Sequence, residues 1–349
     1  MKFRLLKYRF IFLLLLMAYL CLHLVTLTSF PLPWYDETYM AAIGKAFLET
    51  GRFTKTVAFY TDIPTEDLRY GPFYYFFVAF FFKFFGFGIF QYRLIAFLSG
   101  IWTFWLTFKL FATEHKNYFT TWCLLALFAI DSFYFRCMHE GRMDLLASGL
   151  MLTAHLAILK IFKTDDAKEI FKNMVLAGAL ASLSLLTSPR LGFALPGIAL
   201  FLFIHFLTKK PKLLLRALLS FLLPFVALYS IWIFYAFGGY IEFINFYIEN
   251  LGYTRLNGYP YYFPRQQLPL LLILAISVIA GVYLKKKSYF SPLAILALIN
   301  IISYYIIVYD NGPYASLIYP YIYILIFKNF EGGFWEKAES EVFVCKATT

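Results

Sequence analysis

FIFLLLLMAYLCLHLVTLTSF, residues 10–30, decides what kind of molecule this chain is. The run holds no Asp, Glu, Lys or Arg, and about 20 such residues suffice to cross a hydrocarbon core of roughly 30 Å as a helix. It is one of many. Residues 191–207 and 268–284 are equally free of charge, and the chain as a whole is 61% hydrophobic, 22% aromatic and only 15% charged. A soluble domain does not carry that composition. A membrane β-barrel would alternate polar and apolar residues over about 10 positions per strand, whereas these runs are continuously apolar. The expected fold is all-α, a polytopic transmembrane bundle.

The basic residues Lys2, Arg4, Lys7 and Arg9 before the first run resemble the start of a secretion signal. The apolar run is longer than the roughly 7–15 residues of a signal core, and Ser29-Phe30-Pro31-Leu32-Pro33 is not a cleavage site, so the segment is expected to stay as a membrane anchor. The net charge of +11 does not point to nucleic acid, because Lys and Arg gather in short loops between apolar runs. The four cysteines, Cys21, Cys123, Cys137 and Cys345, have neither disulfide nor metal spacing.

Basic clusters at Lys109/Lys116, Lys160–Lys172, Lys209–Arg216, Lys285–Lys287 and Lys328 all reach the cytoplasm if spans lie near 93–112, 118–135, 143–162, 173–187, 190–207, 213–237, 267–284, 289–309 and 313–328. With the first span this makes about ten crossings, both ends inside. The transmembrane domain is then 1–328 and the short cytoplasmic tail 329–349. The apolar stretch 72–88 is left over; it contains Lys83 and is expected to lie in the outer interface or to dip partway in. Residues 31–92 form a long first extracytoplasmic loop with interfacial helices. Further outer turns fall near Arg136–Arg142, at Ser188-Pro189-Arg190 and at 238–266.

This assignment sorts the charges. The outer face collects Asp36, Glu37, Glu140 and Asp144 together with Arg52, Arg69, Arg93, Arg136, Arg142, Arg190 and Arg265, whereas the inner loops hold mostly Lys. Arginine offers a planar fork that matches phosphate oxygens. Adjacent carboxylates in Pro33-Trp34-Tyr35-Asp36-Glu37-Thr38-Tyr39, directly after the first helix, suit a group that takes a proton at the membrane face.

These motifs resemble the polyprenyl-phosphate-dependent glycosyltransferases of the GT-C fold. Within that fold the likeness is to bacterial relatives of protein O-mannosyltransferases, of aminoarabinose lipid A transferases and of rhizobial lipopolysaccharide glycosyltransferases. Trp34-Tyr35-Asp36-Glu37 with Gly51-Arg52-Phe53 is similar to the family's first outer loop. Arg69-Tyr70-Gly71-Pro72-Phe73-Tyr74-Tyr75 and Tyr92-Arg93-Leu94 resemble its interfacial helix and the next span. Arg142-Met143-Asp144 matches the acidic position of the second outer loop, and Thr187-Ser188-Pro189-Arg190-Leu191-Gly192-Phe193 a later phosphate-binding turn. The likeness covers about residues 1–210.

The resemblance implies sugar transfer from a polyprenyl-phosphate-linked donor to a glycan, lipid or protein acceptor, with inversion. Asp36 would be the base, Glu37 would orient the acceptor or share the charge, and Asp144 would be a second carboxylate. Arg190 would hold the donor phosphate, with Arg69 and Arg93 behind it. Arg142, Arg265 and Tyr261 complete the expected substrate contacts, the last two in a loop at 259–265 closing over the donor. Relatives such as the aminoarabinose transferases carry Lys where this chain has Gly71.

Blander roles compete. Arg142/Asp144 could be an exposed ion pair of about 0–1 kcal/mol, and Arg190 could simply snorkel from a helix end. His139 and Glu140 have no further metal ligands nearby in sequence; no cofactor is expected, although a divalent metal stays open. His23, His155 and His205 are expected to be packed side chains. A transporter or lipid flippase would need ionisable groups at mid-span and repeated halves, which are not evident. A non-catalytic scaffold of the same fold is the other alternative. The expected partners are the donor, its acceptor and membrane lipids, with no nucleic acid, in the bacterial inner membrane with the site facing the periplasm.

Overall fold

A computed structural model of the chain describes residues 16–33, 35–55, 65–66, 70–112, 128–246, 292–307 and 317–330, with single positions at 14, 126, 248 and 272. Its elements are α1 (Leu16–Thr26), α2 (Tyr35–Thr50), α3 (Pro72–Phe85), α4 (Ile89–Ala112), α5 (Ser132–His139), α6 (Asp144–Ile161), α7 (Ala167–Leu185), α8 (Ala194–Lys209), α9 (Leu214–Phe237), α10 (Pro292–Ile307) and α11 (Tyr319–Phe330). A two-residue antiparallel pair, Thr54–Lys55 with Thr65–Glu66, is the only sheet among the described residues.

Four described stretches are long and apolar enough to cross a membrane: Ile89–Leu110, Asp144–Ile161, Pro189–Lys209 and Pro211–Phe237. In sequence-predicted order, α4, α6, α8 and α9 occupy the spans expected near 93–112, 143–162, 190–207 and 213–237. The span expected at 267–284 and the tail from 331 lie outside the described residues. The helix at the span expected near 173–187 starts earlier, at Ala167, and another boundary bears on the site. The expected span to 135 and turn at 136–142 give way to a helix break at Asp131, after which α5 continues to His139 and leaves only residues 140–143 as the turn. Asp131 accepts the backbone N–H of Tyr134 at 2.9 Å, so its carboxylate caps a new helix instead of interrupting an old one.

Local chemistry sets the other ends. Asp166 caps α7 by accepting the N–H of Lys168, and Glu169 adds negative charge to the first turn. Pro72 opens α3 at a position where its missing N–H costs nothing. Gly86 closes α3 at φ 82°, and Gly238 closes α9 at φ 76°, conformations that favour glycine. The 14 residues of α3 rise about 21 Å, short of the roughly 30 Å of a hydrocarbon core.

Two apolar cores meet near the carboxylates. The larger joins α4–α11, including Leu106, Met151, Ile158, Met174, Phe206, Phe221 and Ile322. The smaller lies under α2 and α3, where Met40, Ile43, Tyr74, Val78 and Phe82 pack on Tyr92, Met143 and Leu146. Helix α7 packs on both α6 and α9, α4 on α6, and α2 on α3. The α2–α3 layer is tied to the bundle by close backbone approach. Gly71 sits so near Leu186 that a Cβ would stand 2.2 Å from its carbonyl oxygen, and Phe73 donates its N–H to that same oxygen at 3.2 Å. Gly71→Ala is therefore expected to destabilise the protein by about 1–3 kcal/mol through overpacking. Thermal unfolding in detergent checks this; a melting temperature equal to wild type contradicts it.

Candidate active site

The site is built around one buried ion pair. Arg93, in the second turn of α4, donates from Nε to Glu37 Oε1 at 2.8 Å and from Nη2 to Oε2 at 2.7 Å. Both side chains are 0% exposed. The two parallel bonds use the fork geometry that only arginine supplies. Its remaining nitrogen, Nη1, donates to the carbonyls of Leu27 and Pro31, each at 2.8 Å. Glu37 Oε1 also accepts the Gly141 N–H at 2.6 Å. One pair thus joins the end of α1, the α1–α2 connection, α2, α4 and the α5–α6 turn. Gly141 must be glycine for this approach, since a Cβ there would lie 2.2 Å from the Tyr92 ring.

Both expected site residues lie in the interior: Arg93 is enclosed by the carboxylate and two carbonyls, and Glu37 is buried with it and anchors α2.

Asp36 precedes Glu37 by one residue, about 100° around the helix, and this turns it to the open side. Its side chain is 34% exposed, and Oδ2 lies 3.2 Å from Arg142 Nη1. Arg142 Nε donates to Asp144 Oδ2 at 2.8 Å, with only 4% and 2% of the two side chains exposed. Burial removes the bland reading of Arg142/Asp144 as a surface pair, because screening by water is weak there. Ser188 Oγ makes a long bond to Asp144 Oδ1 at 3.5 Å. Asp36, Arg142, Asp144 and Ser188 form one chain of contacts from α2 through the α5–α6 turn to the end of α7.

Arg190 follows two residues later, in a 3-10 turn at Pro189–Phe193. It is half-buried, donates from Nη1 to Tyr70 Oη at 3.2 Å, and lies 5.6 Å over the Tyr70 ring. The tyrosine braces the guanidinium through both a hydrogen bond and its π face. Arg69, Tyr261 and Arg265 lie outside the described residues.

The structure also adds residues that carried no assigned role in the sequence. Tyr70 and Ser188 stood inside quoted motifs, which was their only signal. Tyr74, whose hydroxyl donates to the Gly141 carbonyl at 3.3 Å, stood in the same motif as Tyr70. His23 and His139 are 116 residues apart yet have Nδ1 and Nε2 only 2.7 Å from one another, a pairing with no local signature. Glu140 is held by Arg136 at 2.5 Å, and burial pushes its carboxyl above the usual carboxylate range while Arg136 pulls it back. Among the described residues no three His, Cys, Asp or Glu side chains gather as a metal site.

Chemically, the arrangement presents a half-open carboxylate on a fixed helix, beside buried arginines and a braced cation. A sequence family described as dolichyl-phosphate-mannose-protein mannosyltransferase matches residues 69–232, the stretch that holds Arg93, Arg142, Asp144 and Arg190. The apo structure of ArnT from Cupriavidus metallidurans superposes with a TM-score of 0.65 over 97% of this chain at 18% identity. The chain has the GT-C fold. The same ArnT bound to undecaprenyl phosphate gives a TM-score of 0.63 over 96% of the chain at 17% identity. This GT-C chain spans 62–63% of the length of those ArnT chains. No curated protein matches it in sequence.

Removing Arg93 leaves the buried Glu37 carboxyl without its guanidinium partner. Arg93→Ala is expected to cost about 3–5 kcal/mol, and Arg93→Lys to lose part of that by forfeiting the fork. Thermal unfolding in detergent is the readout. An alanine variant that melts with wild type would show that the clamp does not hold the fold.

Proposed function

We propose that this chain is an integral membrane glycosyltransferase that moves a sugar from a polyprenyl-phosphate-linked donor to an acceptor hydroxyl, with inversion. The observation that carries the reading is the half-exposed Asp36, fixed one residue from the buried Glu37–Arg93 clamp and touching Arg142. The GT-C fold, the matched family and the ArnT complex with undecaprenyl phosphate support it.

A sugar on a phosphate already has a good leaving group. The acceptor oxygen forms a bond to the anomeric carbon as the carbon–oxygen bond to the phosphate breaks on the opposite face. The acceptor proton passes to Asp36, and the polyprenyl phosphate leaves carrying the bonding electrons. The protein must supply a base and stabilise the departing charge. Arg190, braced by Tyr70, is the cation in reach of a membrane-embedded phosphate. Arg142 holds Asp36 by Oδ2 and Asp144 by Oδ2, so it sets the base in place and keeps the second carboxylate from crowding it. This chemistry calls for no cofactor. The acceptor is a glycan, lipid or protein. Placing the basic clusters between the apolar runs in the cytoplasm puts the site on the outward face, the periplasmic side of a bacterial inner membrane.

A general base contributes about 10²–10⁴ in rate, so Asp36→Asn is expected to abolish transfer while the protein still inserts. Mass spectrometry of surface glycans from a deletion strain carrying wild type or Asp36→Asn at matched membrane levels is the test. A glycan restored equally by both would remove Asp36 from the chemistry. For the phosphate, Arg190→Ala is expected to weaken undecaprenyl phosphate binding at least tenfold in detergent, and the exposed Arg52→Ala less than twofold. Equal losses would contradict that assignment.

A further inference from the structure

The connection between α1 and α2 is captured by side-chain donors from two other helices. Arg93 takes the carbonyls of Leu27 and Pro31, and His139 Nδ1 lies 2.7 Å from the carbonyl of Phe30 between them. A carbonyl can only accept, so His139 Nδ1 carries the proton. In a neutral imidazole Nε2 is then the acceptor, and the partner 2.7 Å away, His23 Nδ1, must be the donor. That leaves His23 Nε2 as a bare lone pair, and it is a buried nitrogen with no hydrogen-bond partner among the described residues. The two tautomers therefore fix one another. Around them stand Phe135, with its centroid 4.1 Å from His23 and 4.5 Å from His139, Tyr19 at 4.5 Å and Phe97 at 5.4 Å from His23. These rings exclude water from the pair.

His139 also lies two residues before Gly141, whose N–H binds Glu37. The same turn therefore grips the start of α2 from both sides, through Phe30 ahead of the helix and Glu37 within it. We propose that His139, with its tautomer set by His23, is a positioning residue for Asp36, holding the α1–α2 connection so that the carboxylate meets Arg142 and the acceptor. The claim rests on the glycosyltransfer reading above. It assigns the histidines no contact with substrate; a displacement of about 1 Å at a base can cost on the order of a hundredfold in rate.

The substitutions separate geometry from bulk. Asn places an amide nitrogen close to the position of histidine Nδ1 and can still donate to Phe30, whereas Gln reaches instead toward the position of Nε2, and Leu does neither. Glycan transfer in the deletion strain is measured for wild type, His139→Asn, His139→Gln, His139→Leu and Asp36→Asn at matched membrane levels. Undecaprenyl phosphate binding by the same purified proteins is the second readout. His139→Gln and His139→Leu are expected to lose at least tenfold in transfer with binding within twofold of wild type, and His139→Asn to keep most of the transfer. Wild-type transfer in the Gln and Leu variants overturns the proposal. So does an Asn variant as poor as Leu, or a parallel loss of binding, since each points to packing alone. If wild type restores no transfer, the glycosyltransfer reading fails; if wild type and Asp36→Asn restore it equally, Asp36 is not the base; in either case the positioning claim falls.

Discussion

The ion pair between Glu37 and Arg93 is the constraint on which the rest of the site depends. Two charges taken out of water are expensive, and their attraction offsets that cost only with good geometry and further hydrogen bonds on the leftover atoms. Here Arg93 uses Nε, Nη1 and Nη2, and Glu37 adds a backbone N–H to its two guanidinium bonds. Stability is the smaller part of what results. The pair is directional, so it fixes the rotation of α2 about its own axis as well as its distance from α4. Rotation is what decides that Glu37 points inward and Asp36 outward.

From that rotation the rest of the site follows in steps. Asp36 is brought to Arg142, Arg142 to Asp144, and Asp144 to Ser188 at the end of α7. The turn that follows α7 then presents Arg190 against Tyr70, which lies one residue before the glycine that lets α3 approach Leu186. The α2–α3 layer and the bundle are thus locked together at several points. Small residues at Gly71 and Gly141 permit the approach, and buried polar contacts give it a unique register. Apolar packing alone, as in the core around Met40, Val78 and Phe82, would allow sliding.

Much of this was legible in the sequence. Apolar runs between basic clusters located α4, α6, α8 and α9, because the demand for about 20 mostly apolar residues is local. The order of short motifs brought out Asp36, Arg142 and Asp144, which the fold joins in one chain of contacts, and Arg190, which it sets against Tyr70. Arg93 and Glu37 were also singled out but with different tasks, since sequence cannot tell an arginine that faces a ligand from one that faces a carboxylate 56 residues away. The division of labour between Asp36 and Glu37 depends on helix rotation, which neither residue type encodes. The extension of α5 to His139 was missed because the capping role of Asp131 competes with its appearance as a break in an apolar run. The His23–His139 pair was invisible for a simpler reason: its partners lie on different helices, and each alone reads as packing.

The central claim is that a polyprenyl phosphate docks on Arg190 with its sugar toward Asp36. The most direct measurement is a cryo-EM structure of the full chain with undecaprenyl phosphate. The expected result is a phosphate within hydrogen-bond reach of Arg190 with Asp36 facing the position its sugar would occupy. A phosphate found at the opposite end of the bundle, among Lys209, Lys210 and Lys212, would contradict the account.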